Sequence, residues 1–391
     1  MQHRKPSDNY AEPSGFKKSS RLIAFALYDS GETLLGAILF STLYPLYITQ
    51  HLDTKTYSAL YGLSFFLSFL LAIQLGRLAD RKGIRKVFFL IFSLSIPLSC
   101  SALFITFGVP WLNFLLYLLL ALFHQQALVF YNSLLKSFET KGIASGLGVA
   151  LGYVGSAAAL LFMTPYMKLP LAFLWVSLSF FFLSLPSLFA LKEPEERQEV
   201  RISQVIKDRS FMLLVVSMIL LMELAHTLIA MMGVYLREVY GLEKELIYRI
   251  IGLSALGGVV GGVFFGFLTD RFSASRLFPL SFFFWGAFVL FLYIAPISLL
   301  LPLGMFAGFC LSHLWTTSRV LLLERFTKGD ISVKFSFYSL SERVASSVGL
   351  LSWSLFLLLT DNHYRLSALM MLLFPVVGFI FYLLSQRRFH V

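Results

Sequence analysis

About twelve apolar runs of roughly 18 or more residues follow one another along this chain, and a run of that length is what a helix needs to cross a bilayer. They fall at 22–48, 57–75, 87–107, 111–135, 143–166, 169–191, 211–236, 246–268, 277–295, 297–323, 335–360 and 366–385. Barrel strands would instead be about 10 residues long and alternate in polarity. The chain is 58% hydrophobic and only 14% charged, with 42 phenylalanines, more apolar surface than a water-soluble fold of this size can hide. The expected fold class is all-α and polytopic, with twelve transmembrane helices.

The net charge of +11 would suggest nucleic acid in a soluble protein, but here its distribution decides. With the N-terminus placed in the cytoplasm and the loops sorted alternately, inner segments hold 24 Lys/Arg and outer segments 6. That bias puts both termini inside, in a multi-pass protein of the cytoplasmic (inner) membrane, with the basic excess meeting anionic lipid headgroups and not nucleic acid. Cys100 and Cys310 both sit in apolar runs without metal-type or redox-type neighbours, so they read as small buried hydrophobes. Residues 1–20 are polar, lack a cleavable signal pattern and read as a cytoplasmic tail.

The longest polar interruption runs from Lys192 to Arg209 and separates six runs from six. The expected domains are a tail (1–20), a six-helix bundle (21–191), a cytoplasmic linker (192–210), a second six-helix bundle (211–386) and a tail (387–391). A short loop signature supports duplication. Gly76-Arg77-Leu78-Ala79-Asp80-Arg81-Lys82-Gly83-Ile84-Arg85-Lys86 is echoed, 190 residues on, by Gly266-Phe267-Leu268-Thr269-Asp270-Arg271. The same offset carries Asp29 and Glu32 to within a turn of Glu223 and His226, and His124 to the neighbour of His313. Such a layout is a parallel repeat about an axis along the membrane normal.

The Gly76–Lys86 segment resembles the loop signature of the major facilitator superfamily between its helices 2 and 3. Further segments are similar to its vacuole-effluxer branch, related to the autophagy permeases: Ala26-Leu27-Tyr28-Asp29, Val129-Phe130-Tyr131-Asn132-Ser133, Ser145-Gly146-Leu147-Gly148, Thr317-Ser318-Arg319 and Phe337-Tyr338-Ser339. The chain departs from that branch after Tyr28-Asp29, where Ser30-Gly31-Glu32-Thr33 brings an extra carboxylate. The resemblance implies two pseudo-symmetric bundles, alternating access and secondary transport. It also implies that Asp80 and Asp270 latch the halves in an outward-facing state, a carboxylate being suited to a helix N-terminus. Gly76, Asp80, Arg81, Gly83, Arg85, Gly266, Asp270 and Arg271 are accordingly expected to gate.

Asp29 and Glu32, three residues apart, share a helix face about 10–16 Å inside the membrane. Ionisable groups at that depth need a wet cavity or partners, and two close carboxylates cannot both ionise cheaply, which is the physics of proton coupling. Glu223 with His226 repeats the arrangement in the second half, and His124, Gln125 and His313 lie at comparable depth. These seven are the candidates for substrate binding and proton coupling. Asp29, Glu32, Glu223 and His226 could alternatively hold a divalent transition metal as cargo, since oxygen and imidazole donors suit manganese, iron(II) or zinc. Arg319, Glu342 and Arg343 form a candidate ion pair or anion-binding group, or snorkel to headgroups.

No phosphate-binding loop or catalytic triad is visible, so no enzyme and no cofactor is expected. The leading expectation is a monomeric secondary transporter moving a small organic solute with protons. A metal exporter and a non-transporting sensor or lipid-handling protein are its rivals.

Overall fold

The computed structural model describes residues 15–163 and 166–387. Twelve principal helices account for nearly all of the described residues. They are α1 (Gly15–Leu35), α2 (Thr54–Lys82), α3 (Arg85–Ile105), α4 (Pro110–Leu134), α5 (Lys141–Ala158), α6 (Leu171–Ala190), α7 (Arg209–Tyr240), α8 (Lys244–Phe272), α9 (Leu280–Ile294), α10 (Leu300–Arg325), α11 (Ile331–Leu359) and α12 (Leu373–Ser385). Rod one continues beyond α1 through a π-helical stretch, Gly36–Leu43, to Tyr44–Ile48, and α5 continues into a second π-helical stretch, Ala159–Met163. The expected all-α polytopic class is the one observed.

Local chemistry sets the ends. Asp53 caps α2 by accepting from Thr56 N at 2.9 Å, and Gly83, at φ 67°, ends it in the left-handed region that only glycine enters without cost. Asp208 and Gly241 do the same for α7. Two expected helices are broken by proline. Pro279 sits between Ala274–Leu277 and α9, and Pro375 follows the break between Tyr364–Met370 and α12. Pro375 has no N–H to give the Met371 carbonyl, which accepts from Phe374 N instead.

Among the described residues, eleven helical stretches are long and apolar enough to cross a membrane. In α11 the described residues include the apolar stretch Val348–Leu359. The first half of that helix is serine-rich and charged because it faces protein, with Ser332, Lys334, Ser336 and Ser341 buried. Elsewhere the outer surface carries exposed Phe66, Leu98, Phe182, Val260 and Leu358, as lipid contact requires.

The packing repeats every six helices. Helix α1 lies on α5 and α6, as α7 lies on α11 and α12; α3 lies on α4 and α6, as α9 lies on α10 and α12. Between the two sets, α5 meets α8 and α10, as α11 meets α2 and α4. The α5–α8 seam is glycine-lined. A Cβ on Gly142 would come to 2.6 Å of the Gly266 carbonyl, and one on Gly146 would collide with the Gly262 carbonyl. Close backbone approach is what such residues permit between membrane helices.

Candidate functional site

One end of the bundle carries the 192–208 linker and the α2–α3, α4–α5, α8–α9 and α10–α11 connections. Two carboxylates close it. Asp80, in the last turn of α2, accepts from Ser332 N at 3.0 Å and Val333 N at 3.1 Å, the first amides of α11. Asp270, in the last turn of α8, accepts from Gly142 N at 2.7 Å and Ile143 N at 2.8 Å, the first amides of α5. Asp270 follows Asp80 by 190 residues, and Ser332 follows Gly142 by the same 190. In each case a carboxylate of one half sits on the partial positive charge of a helix start in the other. Gly76 and Gly266 let the helices meet, since a Cβ would come to 3.1 Å of the Ser332 carbonyl carbon and 3.0 Å of the Gly142 oxygen respectively.

The two contacts differ in reinforcement. Arg85, fully buried, donates from Nε to Asp80 at 2.9 Å, from Nη1 to Glu193 at 3.0 Å, and from Nη2 to the carbonyls of Glu196 and Gly329 at 2.9 and 3.1 Å. The linker joins in, with Gln198 N donating to the Asp80 carbonyl and Gln198 Oε1 accepting from Gly329 N. Asp270 is exposed, and Ser275 stands where Arg85 would have its counterpart. Arg81 and Arg271, expected beside the carboxylates, point to solvent instead. Of the basic cluster it is Arg85 that turns back to the carboxylate.

A cavity of about 310 Å³ lies between the halves, lined among others by Asp29, Glu32, Asn132, His226, Arg319 and Glu342. Asp29 Oδ2 accepts from Arg319 Nη1 at 3.1 Å, joining α1 to α10 across the interface with both side chains largely buried. Glu32 Oε1 lies 2.9 Å from His124 Nε2 on α4, within its own half. The two carboxylates thus share a helix but hold different partners. Gly148 of α5 makes room for Asp29, because a Cβ there would collide with the carboxylate. Thr33 ties α1 to α5 by donating to the Gly152 carbonyl at 2.7 Å. Two lining atoms make no hydrogen bond, Arg319 Nε and Asn132 Oδ1.

A second cavity of about 330 Å³ adjoins the first through shared walls of Tyr153, Ser156, His226 and Trp315. Apart from Ser254, its remaining lining is apolar, including Leu228, Met232, Trp285 and Leu311. It reaches Leu236, Ile250 and Leu300, which lie near the helix ends opposite the linker.

Not all candidates converge. Glu223 turns away from His226 toward α11, where Oε1 accepts from Ser352 Oγ at 2.9 Å. His226 faces the cavity, its ring 5.4 Å from that of Trp315. His313 is wholly buried between Phe265 and Phe284, with Nδ1 2.6 Å from Ser281 Oγ. Gln125 bridges to α11 by accepting from Ser339 Oγ at 3.1 Å. Arg319 bonds Asp29, and Glu342, on the same cavity wall, also acts on it electrostatically. The side chain of Arg343 lies outside the described residues. Asp29 and Glu32 line the cavity and Glu223 does not, and among the described residues no group of three or more His, Cys, Asp or Glu side chains is gathered as a metal site. Gly148, Asn132, Tyr153 and Trp315 line the site without having been singled out for it; only the Ser145–Gly148 and Val129–Ser133 segments pointed toward the first two.

Residues 213–390 match the model of the Major Facilitator Superfamily. A protein of Aquifex aeolicus (strain VF5), described only as uncharacterized, is 53% identical over 370 residues, covering 95% of this chain and 98% of its own length. A bacterial homologue of the iron transporter ferroportin, solved in an outward-facing state, has a similar fold: TM-score 0.73, 17% identity, 95% of this chain and 100% of the other covered. So has the major facilitator transporter FucP in its outward conformation, with TM-score 0.71, 14% identity and coverage of 94% and 100%.

Proposed function

We propose that this chain, which belongs to one family with the Aquifex aeolicus protein and has the major facilitator fold, carries a small solute across a membrane by proton-coupled alternating access. It is a transporter and not an enzyme. The observation that carries the reading is the pairing of a charged cavity between the halves with a closed linker end, held by two symmetric carboxylate-to-helix contacts. We assign this arrangement to the outward-facing state, in which both similar solved structures were captured. Rocking of residues 21–191 against 211–386 would break both contacts and open the cavity toward the linker side. By the asymmetry of basic residues that side is the cytoplasm, with both termini there.

The coupling elements are Asp29, Glu32, His124 and His226. The Asp29–Arg319 bond spans the halves, so the linker end separates only if that bond breaks. A proton on Asp29 removes the charge that holds Arg319. The Glu32–His124 pair lies beside the Asp29–Arg319 bond, with Glu32 on the same cavity wall. Solute and proton then act on one set of groups.

The experiment is flux in proteoliposomes under an imposed pH gradient, with a panel of amino acids, peptides, sugars, organic cations and divalent metals. Glu32→Gln should abolish gradient-driven flux in a protein that elutes and melts like the wild type. Unchanged pH dependence of flux in that variant would remove Glu32 from the mechanism.

A further inference from the structure

The two halves repeat one another but are filled differently. The 190-residue offset that relates the two latches also relates α4 to α10, whose first residues are Pro110 and Leu300. It pairs Phe114 with Gly304, Tyr117 with Ala307 and Ala121 with Leu311. In the first half, rings occupy the space. Tyr117 stacks on Tyr44 with ring centroids 3.8 Å apart and lies 5.4 Å from Tyr61, while Phe114 lies 5.8 Å from Tyr57. Phe114, Tyr117 and Tyr44 are fully buried. In the second half, Gly304 and Ala307 line the apolar chamber instead. There α7 contributes Leu228, Met232 and Leu236, none of which has a ring. Leu311, larger than Ala121, returns only part of the space that two rings would fill.

The serines of the chamber wall are satisfied within their own helices. The Ser254 hydroxyl donates to the Ile251 carbonyl and the Ser156 hydroxyl to the Tyr153 carbonyl. Opposite the linker, Leu236, Ile250 and Leu300 pack with Leu242 and Ile247 in a buried apolar cluster. On its other side the chamber meets the polar cavity at Tyr153, Ser156, His226 and Trp315. An apolar void lowers stability unless something occupies it. A dry cavity of about 150 Å³ already takes a benzene ring, and this one measures about 330 Å³.

We propose, resting on the transport reading above, that the solute carries an apolar body, a bicyclic or branched hydrocarbon group, which occupies the chamber while its polar part lies in the cavity between the halves. A sugar or a hydrated metal ion would lose its water there to a hydrocarbon wall. A group of this size and polarity gains by leaving water for it. The first half fills the matching place with its own side chains, so the second half holds the apolar body and carries it when the halves rock. A lipid acyl chain shares this chemistry, and the test separates the two sources.

The test uses 4-bromobenzyl alcohol, a neutral probe whose bromine quenches tryptophan, added to the full-length protein in lipid nanodiscs. Trp111, Trp175, Trp315 and Trp353 are replaced by phenylalanine, so that Trp285 in the chamber wall reports alone. Quenching should saturate, as occupation of a site does. Ala307→Tyr, which installs the first half's own residue, should weaken it about tenfold or more. Leu301→Tyr, which adds the same ring to the exposed face of α10, should bind like the parent. Ala307→Leu replaces the tyrosine variant if that protein does not elute and melt like the parent. Quenching that never saturates, or that is equal in the position-307 and position-301 variants, overturns the proposal. So does quenching by lipid brominated in its acyl chains that Ala307→Tyr relieves, because a lipid chain then fills the chamber. Gradient-driven flux of a solute from the panel, unaltered by Ala307→Tyr, discards the apolar body and leaves the transport reading standing. Saturable probe binding that Ala307→Tyr removes, in a protein that moves no solute of the panel, upholds the chamber's ligand class and sinks the transport reading instead.

Discussion

Asp80→Asn is the substitution whose effect the structure fixes most closely. The wild-type carboxylate is fully buried and accepts two backbone amides of α11 and the Arg85 guanidinium. An amide of the same shape has one acceptor oxygen in place of two, and its NH₂ faces a donor. It also removes one of the two carboxylates that face buried Arg85, leaving Glu193. Removing one partner from a buried charge pair costs about 3 kcal/mol or more. Because the contact exists only while the linker end is closed, the cost falls on that state alone. It shifts the closed-to-open ratio roughly a hundredfold, and a population of about 99:1 would fall to near parity. Asp270→Asn removes a helix-start contact that is exposed and lacks an arginine, worth about 1 kcal/mol, or roughly fivefold. The assay is the distance between spin labels at Glu139→Cys and Arg276→Cys, on opposite halves of the linker end; Cys100 and Cys310 are buried and stay unlabelled. Glu139 has only an exposed pair with Lys18 to lose, which is worth little. Asp80→Asn should produce a second, longer distance and Asp270→Asn little or none. Equal shifts in the two variants, or an effect confined to Asp270→Asn, would refute the reasoning.

Three further outcomes are expected. Gly146→Val places branched carbons against the Gly262 carbonyl and should force α5 from α8, so the same labels should report a lengthened distance without any change in charge. Asp29→Asn or Arg319→Gln alone should lower the melting temperature and impair flux by stranding a buried charge, whereas the double variant should recover part of the stability, read as a non-zero coupling energy in a double-mutant cycle. Gly83→Ala should cost about 1 kcal/mol by scanning calorimetry, since the residue sits at φ 67°, with a further loss from contact with the Arg197 side chain.

The helical class and the 190-residue offset were legible because a bilayer imposes a length on each helix and duplication leaves its spacing behind. The same offset correctly relates the amides that Asp80 and Asp270 meet, although nothing in Ser332-Val333 or Gly142-Ile143 advertises a latch. Side-chain direction was not legible. Residues three apart on a helix point about 60° apart, because each residue turns the helix by about 100°. That difference sends Asp29 to α10 and Glu32 to α4, and it sends Glu223 into α11 while His226 looks into the cavity. His313 looked like the partner of His124 at the shifted offset. Phenylalanines 265 and 284 close over it, where a serine hydroxyl satisfies its one bonded nitrogen. Arginine reach misled in the same way. Arg81 adjoins Asp80 in sequence but points outward from the helix end, while Arg85, the first residue of the next helix, folds back onto the carboxylate.

The unequal latches bear on the order in which the linker end opens. On the α2–α11 side, opening must separate Asp80 from two amides and pull apart the Arg85 network that also binds Glu193, Glu196 and Gly329. On the α5–α8 side it must separate Asp270 from two amides and part a seam lined with glycine. Charge-assisted bonds in a buried site are about twice as strong as neutral ones, and here there is one more guanidinium to desolvate and re-solvate. The α5 start should therefore release first and more often. Amide exchange read by mass spectrometry tests this without touching a residue. Peptides covering Gly142 and Ile143 should exchange tens of times faster than those covering Ser332 and Val333, as a difference of about 2 kcal/mol implies. Asp80→Asn should bring the second pair up to the rate of the first. Slower exchange at Gly142 than at Ser332 in the wild type would mean that the arginine network does not hold that side shut, and that the glycine seam is the stronger closure.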